Sequence, residues 1–495
     1  MKAATFTRLA GDVERIRGPL AGRGRGWLSG DMTTDSTAVT RALAGYSAGL
    51  ALAKLPPDVV ARARLLFLDL VGSIVRAPSE LPSPAVLRST ATALGFGGGT
   101  CRVFGDSQTW TPAGAALLNS AYGHALDFDD THAPSTLHPG APVIPAAFAA
   151  AQMAGASGAD LIAGIVAGYD VTCRIGMALP AGEHYARGFH PTATCGAFGA
   201  AAAAGRVLGL TGDQIASAFG IALSQSAGSL QFLANGAWTK PFQVGWAASA
   251  GLTAAVLARQ GYLGPAEALE GKHGFLRAYA PAPRPALATA NLGNAYELMA
   301  TGVKPYPSCR YGHAGIDAAM KLRTQHQLAP SDIEKVTYGL SNAGMLMIGA
   351  PADAKRNPKN TVDAQFSAPF VLAAALLHGE VTWSSYSLLE SAAMNAMIAK
   401  IDCVFDPEIE AEFPANMSGR VTVVARGRTY SEKAIVPYGE PANFMSEDRL
   451  LAKFFSLARP AIGPGCEELA DCILTLDRQV DLARLAAAAA PARHG

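Results

Sequence analysis

The stretch that most constrains this chain's fold runs from Val143 to Val171. It is loaded with alanine and glycine and is interrupted by Gln152, Asp160 and Asp170. Acids spaced through so apolar a segment read as buried core helix rather than a membrane span. Ala197 to Val207 is a second run of the same kind, and small side chains let such helices approach closely. Composition points the same way. The 495 residues are 50% hydrophobic and 16% charged, with 52 glycines. That balance implies close-packed helices, a large buried surface and an oligomer. The net charge of +1 comes without a basic stripe, which excludes a nucleic-acid binder.

Helical patterning starts near Val39. Pro57 opens a stronger helix over 58–75, with Val59, Ala63, Leu66, Leu70 and Ile74 on one stripe. Gly95 to Gly99 is expected as a turn; no P-loop Lys-Ser/Thr follows it, so it is not a phosphate loop. Helices are expected over 112–130, 143–153, 160–175, 191–207, 211–226 and 245–259. Pro281 to Pro285 marks the first composition shift. Beyond it come a helix over 314–326, a strand at 335–340, a helix over 364–377 and a β-hairpin around Arg426-Gly427-Arg428. From Ser446 helices return. The expected fold is mostly α with an inserted α+β domain. A leader spans 1–37, the helical domain covers 38–299 and 437–490, and an α+β lid covers 300–436.

The seven cysteines (Cys101, Cys173, Cys195, Cys309, Cys403, Cys466 and Cys472) lie scattered, with no CxxC and no zinc spacing. They read as reduced, buried thiols of a cytoplasmic protein. Residues 1–37 mix arginines with acids and lack an apolar segment, so they read as a disordered leader or an over-long start.

Polar chemistry is concentrated in residues 125–140, where three acids, two histidines and three hydroxyls fall within sixteen positions. His124, Asp127 and Thr131 share a face if the first half is helical, being spaced i, i+3, i+7. Pro134 and Pro139 break that helix, so His138 arrives from another direction. Further on, Pro191 suits a first helical position and places His190 at a helix N-terminus. Trp238 and Phe242 flank Lys240 and argue for its burial. A metal site of Asp127, Asp129, Asp130 and His132 is the alternative reading of the acidic run.

Five segments in order carry a family resemblance: Leu126-Asp-Phe-Asp-Asp-Thr-His, Leu137-His-Pro-Gly, Phe189-His-Pro-Thr-Ala-Thr-Cys-Gly, Thr239-Lys240 and Val303-Lys304-Pro-Tyr-Pro. The chain thus resembles the MmgE/PrpD family over about residues 38 to 488. That family includes 2-methylcitrate dehydratase, cis-aconitate decarboxylase and iminodisuccinate epimerase. The resemblance implies a helical domain with an α+β lid, a homodimer, no metal or other cofactor, and a small polycarboxylate substrate. It implies a site of Asp127, Thr131, His138, His190, Lys240, Lys304 and Cys309. Two departures stand out. Lys240 is followed by Pro-Phe-Gln-Val-Gly where many relatives have Arg-Leu-His-Pro-Gly, and Met345 to Ala350 holds no tyrosine where the decarboxylase has one.

Family substrates lose a proton beside a carboxylate, which builds negative charge there. Lys240 and Lys304 are expected to hold that charge, with Thr131 and Cys309 also on substrate. His138 and His190 are expected as base and acid in either order, and Asp127 as the group that orients a neighbour or raises a histidine's pKa. The simplest reading is a hydro-lyase of the 2-methylcitrate dehydratase type. The alternatives are decarboxylation of cis-aconitate, epimerisation of an amino- or imino-dicarboxylate, and a carboxylate-binding protein without turnover.

Overall fold

The computed structural model describes residues 38–413 and 415–490; the expected leader over 1–37 lies outside the described residues. The protein is mostly α, with a smaller α+β part.

The interior of the helical part is a stack of Gly/Ala-rich helices. Gly158–Ala178 packs on Pro191–Val207, which packs on Thr239–Arg259, which packs on Pro112–Ala125. The backbones nearly touch. A Cβ on Gly199 would lie 1.6 Å from the Thr172 hydroxyl, and one on Gly251 would lie 2.5 Å from the Ala197 carbonyl. Small residues here are therefore a condition of the packing. Among the described residues one helix, Gly158–Ala178, is long and apolar enough to cross a membrane, and it lies buried in this core.

One apolar core draws on residues from Val39 to Val303 and again from Met445 to Ala489. The chain leaves it and comes back, as helix Glu447–Ile462 packs along Pro57–Glu80. Between these stretches a second core, from Tyr306 to Ala425, forms around a four-stranded sheet. Its order is Ile401–Phe405, Ile333–Leu340, Gly419–Ala425, Arg428–Ala434; the first pair is parallel and the others antiparallel. Gly419–Ala425 alternates buried and half-buried residues, the period-2 pattern of a strand with one covered face. The turn of its hairpin puts Arg426 at φ 54° and Gly427 at φ 66°, the left-handed pair a two-residue hairpin demands.

Several expectations need correction. The helix expected to reach Asp130 ends at Ala125. The one expected from Gly245 begins at Thr239, so Lys240 stands in a helix's first turn. The segment 364–377 is two helices, Thr361–Gln365 and Ala368–His378. Ser367 caps the second, and Pro369 in its first turn keeps the preceding residues from continuing the first. Gly97 to Gly99 lie in a strand, Gly97–Arg102, after a turn at Gly95. Pro281 to Pro285 joins two short helices inside the first core rather than separating the cores.

Candidate active site

The helix end at Ala125 creates the site. His124 occupies the last turn, and three residues later Asp127 adopts φ 53°. This left-handed conformation is uncommon outside glycine, and Asp tolerates it better than most residues. It reverses the chain, so the helical face proposed for His124, Asp127 and Thr131 does not exist. Thr131 instead pairs with Gly302, and His132 with Thr301, in a two-stranded ladder that ties this loop to the one carrying Lys304.

Asp127 is the hub of one half of the site. Its Oδ1 lies 2.5 Å from Lys240 Nζ and 3.1 Å from Lys304 Nζ, and its carbonyl accepts a 2.9 Å bond from Lys304. Against the burial that disfavours its charge, the two lysines hold Asp127 well below the usual carboxylate range. Burial works against the Lys240 charge too, but Asp127 more than offsets it and raises the ammonium above its ordinary value. The expected reason for Lys240 burial is wrong. Trp238 and Phe242 are 52% and 44% exposed, and it is Phe366, 5.9 Å from Nζ, that covers the ammonium. Of the two roles expected for Asp127, the contacts fit the orienting of a neighbour, since its ion-pair partners are the two lysines.

The histidines form the other half, with Asp129 as their carboxylate. Asp129 Oδ2 lies 2.7 Å from His124 Nδ1, and Oδ1 lies 3.7 Å from His138 Nδ1. Against complete burial, these imidazoles hold Asp129 far below the usual range. The His124 ring stands 5.0 Å from that of His138 and 5.8 Å from that of His190. Burial, reinforced by Lys304 and outweighing the pull of Asp129, pushes His138 down to about 3. His190 is pushed well below its ordinary value by burial, with His124 and Lys240 adding to the effect. Both rings are therefore neutral near pH 7.

Hydrogen bonds fix their tautomers. His138 Nδ1 lies 2.6 Å from the Asp130 carbonyl, which can only accept, so Nδ1 carries the proton and Nε2 is an acceptor. His190 Nδ1 lies 2.8 Å from the Gln243 amide nitrogen. Gln243 is oriented by Ser229, whose N–H donates to Oε1 at 2.9 Å. The amide therefore donates to His190 Nδ1, leaving Nε2–H as the donor. The site thus presents one imidazole acceptor and one imidazole donor.

All seven residues implied by the resemblance line a single cavity of about 130 Å³. The Thr131 hydroxyl is buried there without a protein partner among the described residues. Burial, with Asp127 nearby, raises the Cys309 thiol above its ordinary value, so it is a neutral wall and not a nucleophile. Asp130 and His132 turn away from the cavity. Asp130 accepts from Tyr169 at 2.6 Å and from the Gly140 N–H at 3.1 Å; His132 bonds Ser135 at 2.6 Å and Glu297 at 3.3 Å. The metal set proposed around them does not converge. The described residues that bring ligand atoms within 4.8 Å of one another are His124, Asp129 and His138.

Two contributors were not anticipated. Gln243 follows Lys240 by one helical turn and shares its face, a spacing visible in the sequence. Lys453 interrupts the apolar stripe of Leu450, Phe454 and Leu457. Its buried ammonium bonds the carbonyls of Phe128 at 2.8 Å and Lys304 at 2.9 Å and pairs with Asp69 at 2.7 Å. The returning C-terminal helix thereby pins both charged loops.

The chain matches the family model described as the MmgE/PrpD N-terminal domain over residues 41–288 and that of the MmgE/PrpD C-terminal domain over 306–479. It is 30% identical over 490 residues to the cis-aconitate decarboxylase-like protein oryM of Aspergillus oryzae, covering 92% of this chain and 98% of that one. It is 29% identical over 476 residues to a cis-aconitate decarboxylase of Aspergillus terreus, with 90% and 95% covered. The Homo sapiens cis-aconitate decarboxylase is 26% identical over 439 residues, with 84% and 87% covered.

Proposed function

The chain belongs to the MmgE/PrpD family, and from that premise we propose a lyase that decarboxylates cis-aconitate or a close relative of it. The relatives carrying that name favour this over the dehydratase expected from the sequence. The observation that carries the reading is the pairing of two lysines on one aspartate beside two neutral imidazoles in a cavity of about 130 Å³.

In the proposed reaction, carboxylates of the trianion lie against Lys240 and Lys304, which among the described residues share Asp127 as their one ion-pair partner. His190 Nε2–H and the Thr131 hydroxyl donate to substrate oxygens. Negative charge arriving beside His138 raises its pKa, so Nε2 takes up a proton as substrate binds. The bond from the methylene carbon to its carboxylate breaks and carbon dioxide leaves. The electron pair shifts through the adjacent double bond to the carbon that bears a remaining carboxylate. Lys240 and Lys304 stabilise that charge, and the His138 imidazolium protonates the carbon. The product carries a terminal methylene group.

Proton NMR in D₂O with cis-aconitate, 2-methylcitrate and citrate tests this. The expected result is loss of the cis-aconitate vinyl signal, two new terminal-methylene signals and one deuterium in the product's CH₂ group. Water elimination from 2-methylcitrate, with cis-aconitate untouched, would restore the dehydratase reading.

A further inference from the structure

Of the residues that line the cavity, two carry a buried polar side-chain atom with no hydrogen-bond partner among the described residues. One is Thr131, through its hydroxyl; the other is Arg310, through Nη1. Arg310 directly follows Cys309 and opens the short turn Arg310–Gly312. Its Nε and Nη2 both donate to the Glu440 carboxylate, a two-point pairing that fixes the plane of the guanidinium. Glu440 is itself tied to the loop that carries Lys304. The Gly439 carbonyl accepts from the Val303 N–H at 2.9 Å, and a Cβ on Gly302 would lie 3.2 Å from the Glu440 Cα. The returning chain thus anchors one edge of the guanidinium and leaves Nη1, with its two N–H groups, uncommitted. Buried N–H groups without a partner are costly, and a structural ion pair needs only the donors already used.

Charge points to what those groups bind. Lys240, Lys304 and Asp127 together carry one net positive charge, against three carboxylates on an aconitate. The reaction proposed above separates the three. The departing carboxylate sheds its charge with carbon dioxide, so a cation held on it would oppose the step. The carboxylate beside the carbon that receives the electron pair gains charge, and the lysines serve it. The third, on the central carbon, neither leaves nor gains charge. We infer that Arg310 is the residue that recognises this central carboxylate, donating to it from Nη1 while Glu440 holds the rest of the guanidinium. The inference rests on the decarboxylase reading for which carboxylate is held, but not for the recognition of a third one. Such a contact is as strong before the reaction as during it, so it lowers KM and leaves kcat alone.

The test pairs propane-1,2,3-tricarboxylate with glutarate, which differs from it only in lacking the central carboxylate. Calorimetry on the full chain gives Kd for each, and turnover of cis-aconitate gives kcat and KM. Wild type is expected to bind the tricarboxylate about tenfold or more tighter than glutarate, the range for a hydrogen bond to a charged group. Arg310→Lys keeps a cation for Glu440 but loses the second set of donors. It should cut that preference to about threefold or less while glutarate binding stays within about twofold, and should raise KM about tenfold with kcat nearly unchanged. Glu440→Gln removes the competing charge and should tighten tricarboxylate binding about threefold, a gain that a purely structural ion pair would not give. The double variant Arg310→Met/Glu440→Leu strands neither charge and should lose the preference as Arg310→Lys does. A preference that shifts as expected while cis-aconitate is not turned over supports the role of Arg310 and sinks the decarboxylase reading. Equal Kd for the two acids in wild type, or a preference that survives in Arg310→Lys and in the double variant, overturns the inference.

Discussion

Residues 127–138 feed two buried polar clusters, and only one of them borders the cavity. In the first, His132 bonds Ser135 and Glu297; Glu297 meets Arg174 at 3.2 Å, and Arg174 also donates to the carbonyls of Ala290 at 2.5 Å and Ala295 at 2.7 Å. Asp170 accepts from Tyr46 and from the Glu297 N–H. Burial is as deep as at the site, and both clusters combine carboxylates, cations and histidine. Yet this cluster turns its charges onto protein partners. In the second cluster two ammonium groups converge on one carboxylate, and His138 and His190 turn one nitrogen each to backbone or Gln243 and keep the other. Burial and titratable groups therefore do not by themselves mark chemistry. Valence left open toward a cavity does.

Removing one member from each cluster should give opposite outcomes. His138→Asn should lower kcat/KM by roughly 10²–10⁴-fold, the range for a positioned acid or base, with thermal stability close to wild type. Arg174→Met should instead destabilise by about 3–5 kcal/mol, because Glu297 keeps a buried charge without its partner. Denaturant melts alongside turnover assays read both. An Arg174→Met protein that is stable but inactive would erase the distinction.

Lys453 belongs to neither cluster; it reaches the charged loops through the Phe128 and Lys304 carbonyls and through the Phe128 ring, 3.8 Å from its ammonium. Lys453→Met alone should cost about 3–5 kcal/mol by stranding Asp69. Adding Asp69→Leu removes the stranded charge and should restore most of the stability. The double variant should still turn over at least tenfold more slowly than wild type, because the Phe128 and Lys304 carbonyls have lost their tether. Full recovery of kcat would make Lys453 purely structural.

These clusters also explain what was legible in the sequence. Motif order brought all seven expected residues to one cavity wall, and apolar periodicity gave the helical core, the hairpin and the return of the chain after Ser446. Partners were not legible. The acids of 127–130 look alike in sequence, but Asp127 takes lysines, Asp129 takes histidines, and Asp130 takes Tyr169 from a helix some forty positions away. Nor does any local signal distinguish a helix that runs through Asp127 from one that stops at Ala125. The left-handed turn is held by the lysines, which come from 113 and 177 positions further along.

The two clusters should differ in their response to a bound anion. Below an unfolded pKa of about 6.5, unfolded His138 is protonated while the native ring stays neutral down to about 3. The unfolded state thus binds more protons in that window, so His138 contributes stability that is complete above about pH 6.5 and is lost as pH falls toward 3. Propane-1,2,3-tricarboxylate brings negative charge to the same ring and should reverse the depression. Calorimetry in buffers of different ionisation enthalpy should show uptake of close to one proton at pH 7, falling by at least half in His138→Asn. No uptake in wild type would mean that His138 stays neutral with ligand bound and that another group delivers the proton.

The smallest expected effect concerns the tautomer of His190. Gln243 donates to Nδ1 because Ser229 holds its oxygen, and this makes Nε2–H the donor toward the cavity. Gln243→Leu removes the bias, leaving the ring free to exchange tautomers, and should cost about tenfold in kcat/KM, the worth of roughly one net hydrogen bond. Gln243→Glu reverses the bias. Its carboxylate accepts from Nδ1–H and turns Nε2 into an acceptor facing a substrate carboxylate, so its loss should exceed that of Gln243→Leu although Glu is the closer isostere. Nitrogen-15 shifts of His190 identify the tautomer in each variant independently of turnover. If Glu proves the milder substitution while the shifts confirm the reversal, His190 does not donate to substrate, and His138 is left as the sole imidazole in the reaction.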